Sequence, residues 1–216
     1  MSTATESVAF DTPEREERAD TFGMWIFIGS EAMLFGAVLL VFFMARLDHG
    51  EAFAAASKHL SLPLGTLNTA VLLTSSFAMA LAHFCSAAGR WRAAAWSLAA
   101  TGLLGVVFLI IKGIEYAKEF AEGIAPVLGA PFTYAGPDPT HAQFFFGLYF
   151  AMTGLHALHL ICGTVAVAAL LALWRHTSPA SRIRRVQALG LYWHFVDIVW
   201  VFLFPALYLI DRTVGA

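Results

Sequence analysis

Six ionisable side chains stand inside runs of sequence otherwise fit for lipid, and they are the residues here that could do chemistry. Glu31 interrupts the first apolar run, and His156 and His159 sit in the fourth. His194 and Asp197 occupy the last, within GLYWHFVDIVWVFLFPALYLI, and Lys112 closes the third. An ionisable group near the centre of a bilayer costs about 2.5–3.5 kcal/mol on insertion scales, so such groups normally face a protein interior. A buried carboxyl like Glu31 is either a proton-carrying or head-group-ordering group, or a protonated acid kept for helix packing. His194 and Asp197 are three apart and share a helix face, so they can bond each other or a common neighbour. They read as a proton relay or as a mutually satisfied pair that fixes the last helix. Trp193 and Trp200, seven apart, share another face.

His156 and His159, in TGLHALHLICG, share a face and invite a haem or metal reading. A haem-bearing bundle needs histidines facing one another from two helices at two depths, whereas His194 is the only other histidine deep in a run and His83 lies at a run's end. No third ligand follows metal spacing, and the expectation is no metal or haem. Cys85 and Cys162 show neither CxxC nor metal spacing and read as packing residues.

The elements that must position these groups are membrane helices. Of 216 residues 59% are hydrophobic and only 13% charged, about half the charge of an ordinary soluble domain, and the mean hydropathy is +0.70. A net charge of −2 without a long basic run leaves no footprint for nucleic acid. Because a ~30 Å hydrocarbon core needs about 20 helical residues, five runs are long enough to cross it. They lie at about 23–45, 62–84, 93–114, 144–174 and 190–210, giving an all-α bundle of five transmembrane helices over 22–212. Glu31 falls roughly 12 Å along the first run, well inside the hydrocarbon. Residues 1–21 carry six acidic residues against two arginines, the wrong charge for a signal peptide, and read as a polar tail whose Asp20 or Thr21 caps the first helix. Four prolines between Ala117 and Gln143 predict an extramembrane loop. Lys112, near a helix end, is expected to snorkel to the surface or to pair with Glu115. With the N-terminus inside, eight cationic residues (Arg15, Arg18, Arg90, Arg92, Arg175, Arg182, Arg184, Arg185) fall on the cytoplasmic side against four (Arg46, Lys58, Lys118, Arg212) outside. The positive-inside rule therefore predicts a cytoplasmic N-terminus and a periplasmic C-terminus.

The motifs GSEAMLF, LNTAVLLTSS, GIEY, TGLHALH and YWHFVDIVW, in order over about Gly23–Ile210, resemble subunit III of haem-copper oxidases, the cytochrome c oxidase subunit III family. The chain is similar to the short five-helix members, beginning at what would be the third helix of the common seven-helix form. The resemblance implies a non-catalytic subunit of an oxidoreductase complex in the bacterial inner membrane. Haem and copper would sit in partner subunits I and II, with phospholipid bound between helices here. Such a subunit supports proton uptake and the durability of subunit I in an enzyme that couples cytochrome c oxidation to oxygen reduction and proton pumping. The resemblance maps the family's buried carboxylate onto Glu31, with His194 or Asp197 as its polar partner. It implies lipid or subunit contacts for His156, His159, Glu115, Tyr116, Trp193 and Trp200, with Glu115 and Tyr116 at the surface. Glu31 and the LNT motif favour cytochrome c oxidase. The alternatives are a quinol oxidase subunit III and an accessory protein of a nitric oxide reductase. A cytochrome b and a transporter using Glu31, Lys112 and Asp197 are the rival classes, the latter lacking an inverted repeat.

Overall fold

The computed structural model describes residues 13–126 and 132–209. Its helices are α1 (Pro13–Asp48), α2 (Gly50–Ser57), α3 (Leu62–Ala87), α4 (Trp91–Ala121), α5 (Pro139–Ala172) and α6 (Pro179–Phe204). A 3-10 turn spans Trp174–His176 and a π-helical turn Pro205–Leu209. Five of these elements, α1 and α3 to α6, are long and apolar enough to cross a membrane.

Proline and glycine set most of the boundaries. Pro139 and Pro179 open α5 and α6 in the first turn, where a missing N–H costs nothing. Asp138 and Ser178 cap the same turns by accepting from the backbone N–H of His141 and Ser181. Gly89 and Gly123, at φ +68° and +70°, end α3 and α4. There Arg90 N–H bonds back to Cys85 O (2.8 Å) and Ile124 N–H to Glu119 O (3.2 Å), the left-handed stop that glycine permits. Pro205 cannot continue the α-helical ladder of α6, and the chain widens into the π turn. That turn swings Tyr208 inward until it is fully buried.

α3, α4, α5 and α6 pack in that cyclic order and close a four-helix ring, with α6 returning against α3. α1 leans on the outside of α5 and α6, and α2 lies across the end of α5 through Phe53, whose ring centroid is 5.3 Å from that of Phe145. Only 11% of the α1 span is buried within the chain against 44% for α6, so α1 is the peripheral helix. Trp193 of α6 fills the ring's centre. A side chain on Gly105 of α4 would come within 2.9 Å of its indole, and one on Gly163 of α5 within 3.1 Å. The two glycines thus form the slot that admits it.

Several expected boundaries move. α1 runs without a break from Pro13, so the helix starts ahead of the expected Thr21 cap. α4 continues past Ile114 to Ala121, α5 starts at Pro139 rather than Phe144, and α6 starts at Pro179 rather than Gly190. In each case polar residues that look like a membrane exit in sequence are carried on a helix that protrudes or that buries them. The four-proline connection shrinks accordingly, and part of it lies outside the described residues.

Candidate functional site

The ring and its outrigger hold two polar sites. The first lies where α1 meets α5 and α6. Glu31 Oε2 is 2.9 Å from His159 Nε2, with the side chains 18% and 12% exposed. The other ring nitrogen, His159 Nδ1, is 2.8 Å from Leu155 O. A carbonyl only accepts, so Nδ1 carries a hydrogen and the Nε2–Oε2 contact holds a single proton. The pair is either imidazolium with carboxylate or imidazole with carboxylic acid, electrically balanced in both forms. Tyr192 Oη donates to His159 O at 2.8 Å and fixes that turn of α5. The pair borders a cavity of about 630 Å³ whose walls include Met24, Phe27, Leu158, Cys162 and Tyr192. The site therefore sets one shared proton and a carboxyl group on the wall of a largely apolar cavity between α1, α5 and α6.

The second site lies inside the ring, at the end where α4 stops and α5 starts. Positions 112, 115, 116 and 119 form one face of α4. Lys112 is 2% exposed and its ammonium spends all three donors: on Glu115 Oε2 (2.9 Å), Tyr149 Oη (2.7 Å) and Tyr208 Oη (2.8 Å). Tyr208 Oη donates to Glu115 at 2.9 Å, and Tyr149 Oη to Glu119 Oε1 at 2.8 Å. Tyr116 and Thr153 share a hydroxyl–hydroxyl bond beside them. The rings of Tyr149 (4.5 Å), Tyr208 (5.4 Å) and Trp200 (5.7 Å) surround the ammonium and add cation–π attraction.

Other expected site residues separate. His194 Nδ1 meets Ser76 Oγ at 2.8 Å. Asp197, 5% exposed, has no hydrogen-bond partner for either carboxyl oxygen among the described residues. Glu31 thus meets His159, not His194 or Asp197, because α1 packs on the α5 side of α6 while His194 turns to α3. His156 and His159 also diverge. His156 points into the ring between Phe108 (5.5 Å) and Trp200 (5.2 Å), with both ring nitrogens unpaired among the described residues. Trp193 Nε1 donates to Ser75 Oγ (3.1 Å) and Trp200 Nε1 to Thr69 Oγ1 (3.0 Å), tying α6 to α3.

These positions correct the contacts expected for several residues. His156, Glu115, Trp193 and Trp200 are each 1% exposed inside this chain's own bundle, where neither lipid nor another subunit reaches them. Tyr116 is half-buried against Thr153, and His159 alone of the group lines an accessible cavity. Lys112 does not snorkel: three oxygen acceptors inside the ring replace its water. Glu119 was missed in sequence, although the i, i+3, i+4, i+7 spacing from Lys112 marks it. Among the described residues no three His, Cys, Asp or Glu side chains converge as a metal-binding group.

The sequence profile described as cytochrome c oxidase subunit III matches residues 14–211. The chain is similar to the "Probable quinol oxidase subunit 3" of Staphylococcus aureus, 29% identical over 99% of this chain and 98% of the relative. It is also similar to the "Cytochrome bo(3) ubiquinol oxidase subunit 3" of Pseudomonas aeruginosa, 32% identical over 87% of this chain and 83% of the relative.

Proposed function

Because the chain belongs to the cytochrome c oxidase subunit III family, we propose that it serves as a non-catalytic subunit III of a haem-copper terminal oxidase, a multi-pass protein of the bacterial plasma membrane. The observation that carries this reading is the family match over residues 14–211, which takes in all five apolar helices. The haem and copper of such an enzyme belong to partner subunits, here subunits I and II. The excess of arginine on one side supports an N-terminus in the cytoplasm.

The Glu31–His159 pair is the working part of this subunit. It presents a carboxyl edge and one shared proton to the cavity between α1 and α5, where a phospholipid can lay an acyl chain along Met24, Phe27 and Leu158. In that role the pair orders lipid beside the partner subunit and keeps proton uptake and the catalytic centre intact over many turnovers. Purifying the tagged chain in mild detergent tests the assignment: haem- and copper-bearing subunits co-purify, and the reduced-minus-oxidised spectrum is that of an oxidase. Co-purification with a c-type cytochrome and b-type haem alone would instead place it with a nitric oxide reductase. Glu31→Gln is expected to shorten the active lifetime of the complex, and an unchanged inactivation rate, turnover and pumping ratio would leave the pair a packing contact.

A second reading concerns the electron donor. The relatives named above are quinol oxidase subunits, which favours quinol over the cytochrome c suggested by the LNT motif. Oxygen consumption by the purified complex with each donor in turn decides between them.

A further inference from the structure

The Lys112 site carries a charge imbalance that its geometry resolves. Lys112 uses three N–H donors at 2.7–2.9 Å, and only the charged ammonium has three. Its partner Glu115 receives Lys112 and Tyr208, and is the carboxylate that balances it. That leaves Glu119, 3% exposed, in the same cluster. Its Oε1 accepts from Tyr149, but its Oε2 is buried with no partner among the described residues. An ionised Glu119 would put a second negative charge on a cluster with one cation and leave its bare oxygen desolvated, the costliest arrangement open to a buried carboxylate.

We propose that Glu119 is a proton-binding site of this subunit, holding one proton on Oε2 at rest and exchanging it with water at the end of the bundle. On release the proton leaves Oε2, the bonding pair stays on the carboxylate, and the Tyr149 hydroxyl and the Lys112 ammonium compensate the new charge. Tyr149 is the link: it accepts from Lys112 and donates to Glu119, so the Glu119 carboxyl senses the Lys112–Glu115 pair through one phenol. The charged and titratable groups around Glu119 come from four elements. α4 gives Lys112, Glu115 and Tyr116, α5 gives Tyr149 with His156 deeper in, the π turn gives Tyr208, and the turn after α4 gives Glu122. Glu122 is exposed and stands three residues beyond Glu119, on the route to water. Asp197, buried with two oxygens unpartnered among the described residues, shares no hydrogen bond with this cluster.

This inference stands on the bundle itself and does not require the oxidase assignment. Infrared difference spectroscopy of the purified chain with its co-purifying subunits, stepped between acid and alkaline buffer, reads it directly. The carbonyl stretch of a protonated carboxylic acid is expected to disappear on alkalinisation and to be absent from Glu119→Gln, while Glu31→Gln keeps it. Tyr149→Phe should move the same band by removing the hydrogen bond to Oε1. A titrating band that survives unaltered in Glu119→Gln overturns the proposal. Should that variant fail to assemble, Glu119→Asp supplies the reading: a shifted band supports the site, and an unshifted one overturns it.

Discussion

The two polar sites of this bundle are held in opposite ways. Glu31 and His159 join the peripheral helix α1 to α5 by one contact, at a wall that opens on a cavity. Lys112, Glu115 and Glu119 sit on one helix inside the ring, and the phenols that satisfy them arrive from α5 and from beyond α6. The first pair can lose a partner and fall back on whatever occupies the cavity. The second has no such reserve for Lys112 and Glu115, whose hydrogen-bond partners are all side chains of the bundle. The lesson is that depth in the membrane is a poorer guide to the consequence of a charge than the number of elements that must agree to satisfy it.

The sharpest way to break the contrast is Lys112→Met, which strands Glu115 and two phenols. Breaking a buried pair of this kind costs about 3–5 kcal/mol, read as a lower thermal midpoint or failed assembly in detergent. Adding Glu115→Gln to the same chain should restore most of that loss, because two apolar or neutral groups replace the pair together. His159→Phe is expected to cost less, about 1–2 kcal/mol, since Glu31 keeps access to the cavity. Equal losses from Lys112→Met and His159→Phe would erase the distinction. Tyr116→Phe removes only the bond to Thr153 and should cost about 0.5–1 kcal/mol by the same measurement.

The smallest effect lies outside the spans, at Asp138. The hydrogen bond from the His141 ring holds the Asp138 carboxyl below its ordinary 3.8. Its contribution is therefore complete above that value and is lost as pH falls through the lowered one. A carboxyl resonance that titrates below 3.8, and that moves up in His141→Ala, checks the sign.

What the sequence made legible follows from what lipid demands. Five crossings are visible because a span must be apolar over its full length, and α1 and α3 to α6 each meet that demand. The Trp-His-Phe-x-Asp run of α6 is equally plain, as a polar cost that only a partnered helix can bear. Helix ends were less legible. Lys112, Glu115 and Glu119 look like a departure into water, yet they continue α4 inward because Tyr149 and Tyr208 await them from positions 37 and 96 residues further on from Lys112. Nothing local to α4 announces those phenols. α2 was missed for a different reason: GEAFAAAS is too short for a span and too alanine-rich to stand out from a connection. The pairing of Glu31 with His159 likewise depends on which side of α6 the first helix leans, a choice made by packing and unrecorded in the spacing of either residue.

The slot between Gly105 and Gly163 carries a consequence for how the chain is made. Its occupant, Trp193, belongs to a helix that leaves the ribosome after both walls have been synthesised. Until α6 inserts, α4 and α5 face each other across a gap the width of an indole, and Ser75 lacks its tryptophan donor. A chain truncated before Trp193 thus lacks the indole that fills the space between α4 and α5 and the donor that ties Ser75 to α6. The two glycines make insertion of α6 and closure of the ring a single event.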